Sequence, residues 1–265
     1  MSGQENDGWA LVTGASSGIG KALAFELASR NFNLFLTGRS KTALHEIATE
    51  CRSKFSVKTE VHPADLSLVE DLDSLAEAVT ANDFRFEVLV NNAGFTIKGE
   101  FAETDLAAEF NLVNVQLGAL LKLTKVLLPG MIARERGRIL NVGSVYSFAP
   151  APFQSVYSAC KAFILSFSAA LAEETKNTGV TVTVLCPGIT KTEFRKRAGI
   201  VETDRLTGST AEDVARVAID QTLKGKHLVV PGTVNRAFVF LGRHLTAKAF
   251  ARLTRIVNRV RGVNP

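Results

Sequence analysis

Short apolar runs alternating with stretches of helical period constrain this chain more than any other feature. "WALVTG", "FNLFLTGR", "KTEVHPADL", "FEVLVNNAG", "RGRILNVGS" and "VTVTVLCPG" read as strands. Between them, "KALAFELASR", "KTALHEIATECRS", "SLVEDLDSLAEAVTA", "AEFNLVNVQLGALLKLTKVLLPGMIA" and "YSACKAFILSFSAALAEET" repeat their apolar residues every three or four positions. A strand that is apolar on both faces must be covered on both faces. The alternation therefore predicts a doubly wound α/β fold of Rossmann type, a parallel sheet with helices on both sides. No internal repeat or Gly/Ser linker divides the 265 residues, so residues 1–265 are read as one domain. A polar tail (1–8) precedes it, a lid is expected at about 188–210, and a helical extension at about 233–265.

The first strand-to-helix junction carries "TGASSGIG". Gly14, Gly18 and Gly20 permit a sharp turn and a close backbone approach, with Ser16, Ser17 and Ile19 between them. A pyrophosphate held there faces the N–H groups and positive dipole end of the following helix. The same letters also satisfy G-x-S-x-G, the nucleophile elbow of serine hydrolases. That reading needs earlier strands to supply an oxyanion-hole loop, and only thirteen residues precede Gly14. One strand later, "LFLTGRS" has Arg39 where an NAD-selective fold places a carboxylate for the ribose hydroxyl. A guanidinium there suits the 2′-phosphate of NADP(H).

"SVYSACK" sets Tyr157 and Lys161 at i and i+4, on one helix face. A free tyrosine, with a pKa near 10, is a weak acid for protonating a carbonyl oxygen. Lowering it by about three units takes roughly 4 kcal/mol, which an ammonium about 4 Å away contributes at an effective dielectric near 20. Ser144 is a candidate oxyanion donor. Tyr146, followed by Pro150 and Pro152, has no lysine at helical spacing and is read as lining the substrate pocket. Cys160 is read as a small buried helix residue rather than a nucleophile.

Taken together, "TGASSGIG", "NNAG", Asn114, Ser144 and Tyr157-x-x-x-Lys161 resemble the short-chain dehydrogenase/reductase family, from about Trp9 to "HLVVPG", its usual last strand. The resemblance implies catalytic roles for Ser144, Tyr157, Lys161 and Asn114, the last holding a water that relays protons to Lys161. It also implies that Asp65 and Leu66 lie by the adenine and Asn91, Ala93 and Gly94 by the adenosine ribose. Pro187, Gly188, Thr190 and Thr192 would surround the nicotinamide and phosphates, with Tyr157 and Lys161 also touching the cofactor. The expected activity is interconversion of a carbonyl and a secondary alcohol with NADP(H), by a homodimer or homotetramer. A catalytically silent NADP(H)-binding regulator is the alternative, and the complete catalytic set argues against it.

Three scattered cysteines and four scattered histidines form neither a disulfide framework nor a metal motif, and the polar start is unlike a signal peptide. These features predict a soluble, cytoplasmic protein. Charge is uneven: 22 basic residues meet 26 acidic ones up to Asp220, and nine basic residues follow with no acidic one. Phe238, Leu241, Leu245, Ala249, Leu253, Ile256 and Val260 predict one basic amphipathic helix, for packing on the domain or a partner subunit or for peripheral membrane contact, clear of the chemistry. Nucleic acid is not expected, since no reader motif accompanies the charge. Arg195, Lys196 and Arg197 give the lid a cationic character, which leaves the substrate open.

Overall fold

Each apolar run becomes a strand because its side chains find cover above and below. The computed structural model describes residues 8–81, 84–199 and 208–260. In chain order, β1 (Trp9–Thr13) leads to α1 (Gly18–Ala28), β2 (Asn33–Gly38) to α2 (Lys41–Phe55), and β3 (Thr59–Pro63) to α3 (Val69–Ala81). Next, β4 (Phe86–Asn91) is followed by α4 (Leu106–Val113), a π-helical turn (Asn114–Gly118) and α5 (Ala119–Ala133). β5 (Gly137–Val142), a 3₁₀ turn (Val145–Phe148), α6 (Ser155–Glu174) and β6 (Val180–Leu185) complete the central part. β7 (Thr190–Lys191), α7 (Phe194–Arg197), β8 (Ser209–Thr210), α8 (Ala211–Leu223), β9 (Leu228–Val229), α9 (Thr233–His244) and α10 (Ala247–Val260) follow.

The main sheet runs β3-β2-β1-β4-β5-β6-β9, with every pairing parallel. One face packs Leu23, Leu27, Leu44, Ile47, Val214 and Ile219 of α1, α2 and α8 against Val12, Leu34, Val88 and Leu140. The opposite face packs Leu75, Leu123, Leu127 and Leu171 of α3, α5 and α6 against Leu11, Leu89, Ile139 and Val182. Successive side chains of β1 thus serve opposite cores, as the two-sided apolarity predicts. Leu106–Ala133 and Ser155–Glu174 are long and apolar enough to cross a membrane, and both lie in this second helical layer. Part of their apolar surface packs on the sheet, and part, including Phe110, Leu121 and Phe163, is exposed.

The C-terminal region departs from the single amphipathic helix expected. It breaks at Leu245 and Thr246 into α9 and α10, so the stripe drawn through both is not one face. Leu241, Leu245 and Ile256 of that stripe are exposed, whereas Val239, Phe250, Thr254 and Asn258 are buried. The buried side of α10 is partly polar because it meets backbone carbonyls of the 150–152 segment, to which Thr254 and Asn258 donate. Residues 1–7, 200–207 and 261–265, which include most of the polar start, the middle of the expected lid and Arg261, lie outside the described residues.

Candidate functional site

The strand order reverses between β1 and β4, and the carboxyl ends of these strands open into a cleft of about 520 Å³. Its floor is the glycine turn. Gly14 has a φ of 63°, and a Cβ on Gly20 would meet the Gly14 carbonyl oxygen at 2.2 Å and Asn92 Nδ2 at 2.4 Å, so no side chain fits there. Ser17 is extended, its hydroxyl does not cap α1, and no acidic residue stands in the first turn. The leading N–H groups of α1, at residues that line the cleft, are therefore left for an anion. Asn92 locks the two strand ends together: its Nδ2 donates to the Thr13 carbonyl at 2.8 Å, and its N–H donates to Thr13 Oγ1 at 2.9 Å.

Ser16, Ser17, Gly18, Ile19, Arg39, Asp65, Leu66, Ala93, Gly94, Pro187, Gly188, Thr190 and Thr192, the residues expected to touch a cofactor, all line this cleft. Burial pulls the Asp65 carboxyl upward, but hydrogen bonds from Ser67 N–H and Oγ together with the charge of Arg39 outweigh it. The carboxyl is held below its usual range. The donors and the cationic rim fit a phosphorylated dinucleotide.

Two expected residues lie elsewhere. Asn91 is buried away from the cleft, where its Nδ2 donates to Asn141 Oδ1 at 2.9 Å and to Thr124 Oγ1 at 3.2 Å, clasping β4 to β5 and α5. The next residue, Asn92, lines the cleft instead, because successive strand residues face opposite ways. Asn114 is exposed and outside the cleft lining. It opens the π-helical turn, where the Ala119 N–H reaches back five residues to the Asn114 carbonyl. That wider turn changes which side chains face inward. Gln116, not singled out from the sequence, is the buried amide here: its Nε2 donates to the Phe95 carbonyl at 3.3 Å, its side chain lies against Gly94, and Oε1 has no partner.

Ser144 ends β5's outgoing loop and caps the 3₁₀ turn, while α6 presents Tyr157 and Lys161. All three are buried and line the cleft. Lys161 Nζ donates to the Val142 carbonyl at 2.8 Å and sits 5.5 Å from the Tyr157 ring centre. Burial pushes the Tyr157 phenol well above its ordinary range, opposed by the hydrogen bond from the Ser144 hydroxyl. Burial also pushes Lys161 down to about 8. Burial is thus the largest influence on both groups. Cys160 is buried and its thiol is raised by burial, as suits a packing residue.

Tyr146 lines the cleft, its N–H donates to Ser144 Oγ at 3.2 Å, and its hydroxyl donates to Asn258 Oδ1 of α10 at 2.5 Å. The extension therefore reaches the site, contrary to the expectation that it stays clear of the chemistry.

A parallel sheet in this order, a glycine turn at the switch point, and a serine, tyrosine and lysine gathered beside it define a dinucleotide-binding oxidoreductase of α/β type. The family model described as short chain dehydrogenase matches residues 8–202, and the chain belongs to that family. It is 34% identical over 216 residues to a very-long-chain 3-oxoacyl-CoA reductase of Mus musculus, covering 80% of this chain and 67% of that protein. A protein of the same description from Laccaria bicolor is 37% identical over 68% of this chain and 54% of its own length. The matched stretch thus spans between half and about two thirds of these relatives. Among solved structures, a short-chain dehydrogenase from Sphingobium yanoikuyae in complex with NADPH superposes with a TM-score of 0.80 at 29% identity, covering 97% of this chain and 96% of that one. A 7beta-hydroxysteroid dehydrogenase superposes with a TM-score of 0.84 at 26% identity, covering 94% and 96%.

Proposed function

We propose that this protein is an NADP(H)-dependent oxidoreductase that interconverts a lipid-like ketone and its secondary alcohol. The observation that carries the reading is the meeting of Ser144, Tyr157 and Lys161 in one cleft with the Gly14–Gly20 turn and Arg39. The apolar cleft residues Phe95, Val145, Ile189 and Phe194 support a lipid-like substrate, as do the relatives described as very-long-chain 3-oxoacyl-CoA reductases. The 2′-phosphate falls to Arg39, and the pyrophosphate to the first turn of α1. NADPH supplies the hydride when bound.

The chain's own residues supply the proton and the geometry. Tyr157, kept protonated by burial, gives its phenolic proton to the carbonyl oxygen as that oxygen gains charge. Ser144 Oγ, hydrogen-bonded with Tyr157, turns its one O–H toward the same oxygen when substrate is bound. Lys161, fixed by the Val142 carbonyl, provides the positive charge nearest the phenolate that remains. Gln116, rather than Asn114, offers a buried amide oxygen without a partner, beside Gly94.

Two surfaces extend the reading. Phe110, Leu121 and Phe163 expose apolar side chains on α4, α5 and α6, which supports a homo-oligomer. Val234, Phe240, Leu241 and Ile256 do so on α9 and α10 among exposed arginines, which supports peripheral contact with an anionic membrane. The decisive test is oxidation of NADPH followed across a panel of carbonyls that includes acetoacetyl-CoA and long-chain 3-oxoacyl-CoA. Tyr157→Phe is expected to lower turnover at least about 100-fold while leaving NADPH affinity unchanged. NADPH binding with no turnover of any carbonyl would instead establish the silent, regulatory alternative.

A further inference from the structure

The inner face of α10 is polar where an amphipathic helix ordinarily is not. Thr254 and Asn258 are both fully buried, one turn apart, below the buried Phe250. Burying a hydroxyl and a carboxamide is unfavourable unless each is hydrogen-bonded. Both donors of this face, among the described residues, go to one short segment. Thr254 Oγ1 donates to the Pro150 carbonyl at 2.6 Å, and Asn258 Nδ2 donates to the Pro152 carbonyl at 3.0 Å. Prolines contribute carbonyls without N–H groups, so this segment cannot satisfy itself by pairing and needs outside donors. The remaining atom, Asn258 Oδ1, accepts from the Tyr146 hydroxyl at 2.5 Å. Tyr146 follows Ser144 by two residues, and its ring packs edge-on against Phe238 of α9.

We propose that Asn258 is a positioning residue for substrate: one carboxamide ties Tyr146 and the Pro152 carbonyl together, so the C-terminal extension sets the wall of the cleft on which the carbonyl substrate rests. This deepens the reading of the chain as a ketone reductase and rests on it. Losing Asn258 removes this anchor of the Tyr146 hydroxyl but leaves the bond of the Tyr146 N–H to Ser144 Oγ, and Tyr157, Lys161 and the nucleotide cradle, in place. The effect falls on substrate binding.

The chain has two tyrosines, which gives the clamp a signature of its own. Full-length protein labelled with 3-fluorotyrosine has one fluorine resonance per tyrosine, and Tyr157→Phe identifies the one from Tyr146. Asn258→Ala removes both hydrogen bonds; it is expected to move the Tyr146 resonance and to raise KM for a long-chain 3-oxoacyl-CoA about 3- to 10-fold, the size of about one net hydrogen bond reaching the substrate, with kcat within about twofold and NADPH affinity unchanged. Asn258→Asp keeps an acceptor for the Tyr146 hydroxyl but loses the donor to the Pro152 carbonyl, and is expected to return the Tyr146 resonance toward wild type with only partial recovery of KM. Arg252→Ala, on the exposed face of α10, is expected to change none of these readings. An unmoved Tyr146 resonance in Asn258→Ala overturns the clamp even if no carbonyl is ever turned over. A moved resonance with unchanged KM, or equal losses in KM, kcat and NADPH affinity, overturns the positioning role.

Discussion

Replacing Lys161 by methionine is expected to make the protein more stable at neutral pH while abolishing turnover. The ammonium is buried, and its pKa falls from 10.5 to about 8 through desolvation. A depression of about 2.5 units corresponds to roughly 3 kcal/mol of native-state cost whenever both folded and unfolded forms carry the charge. Removing the lysine recovers this, less about 1 kcal/mol for leaving the buried Val142 carbonyl without its donor. The net gain below pH 8 is about 2 kcal/mol. Its pH dependence has a fixed sign. Between pH 8 and 10.5 the unfolded chain holds more protons on this lysine than the native state does, so the wild type gains stability as pH rises, and Lys161→Met does not. Cys51 and Cys186, raised to about 11 by burial, work in the opposite direction over part of that range; Cys51 cancels in the difference, whereas Cys186 feels the charge of Lys161, which lowers its thiol, and rises further in the variant. Urea unfolding at pH 7 and pH 10, followed by the fluorescence of Trp9, measures that difference. A variant less stable than wild type at pH 7, or an advantage that does not shrink by pH 10, would refute the argument from burial.

Three further outcomes are expected. Arg39→Ala should weaken NADPH about 10- to 30-fold, because the side chain is exposed and its charge-assisted bond falls at the low end of the usual range, while NADH is little affected; fluorescence titration with both cofactors decides, and equal weakening would undo the assignment. Asn91→Ala should cost about 1–3 kcal/mol by orphaning Asn141 and Thr124 around the sheet, yet leave NADPH affinity intact, as read by urea unfolding and the same titration. Replacing the exposed Val234 and Leu241 by serine should reduce co-sedimentation with phosphatidylserine vesicles severalfold and spare acetoacetyl-CoA turnover, whereas unchanged sedimentation would rule out this face.

The sheet was legible because a buried parallel strand leaves a signal in a handful of residues. "WALV" has to be apolar throughout, since Leu11 enters one core and Val12 the other. The glycine turn was legible for a related reason: a Cβ at Gly20 collides with the backbone, so the residue type records the geometry. Helix α8 was not placed, although Thr210 accepts from the Asp213 N–H as an N-cap and Val214, Ala218 and Ile219 give it an apolar face. Its signal was present and lay beyond the end of the strand-and-helix alternation that organised the reading.

Asn114 and Asn258 mark where a one-dimensional pattern cannot reach. Asn114 is placed inward by the family resemblance alone, whereas a π-helical turn from Asn114 to Gly118 interrupts the helical period between Leu106 and Ala133 and leaves Asn114 exposed. The amide that faces Gly94 is then Gln116, two residues away, and only its burial beside an unpartnered oxygen distinguishes it. Asn258 is hidden differently. In a basic helix with regular apolar residues, a lone asparagine reads as surface, and its partners, Pro152 and Tyr146, are 106 and 112 residues earlier in the chain. Hydrophobic period tells which face of a helix is buried when the buried surface is apolar. Where the surface to be covered is a row of proline carbonyls beside an active-site tyrosine, the covering face must be polar, and the period points to the wrong side.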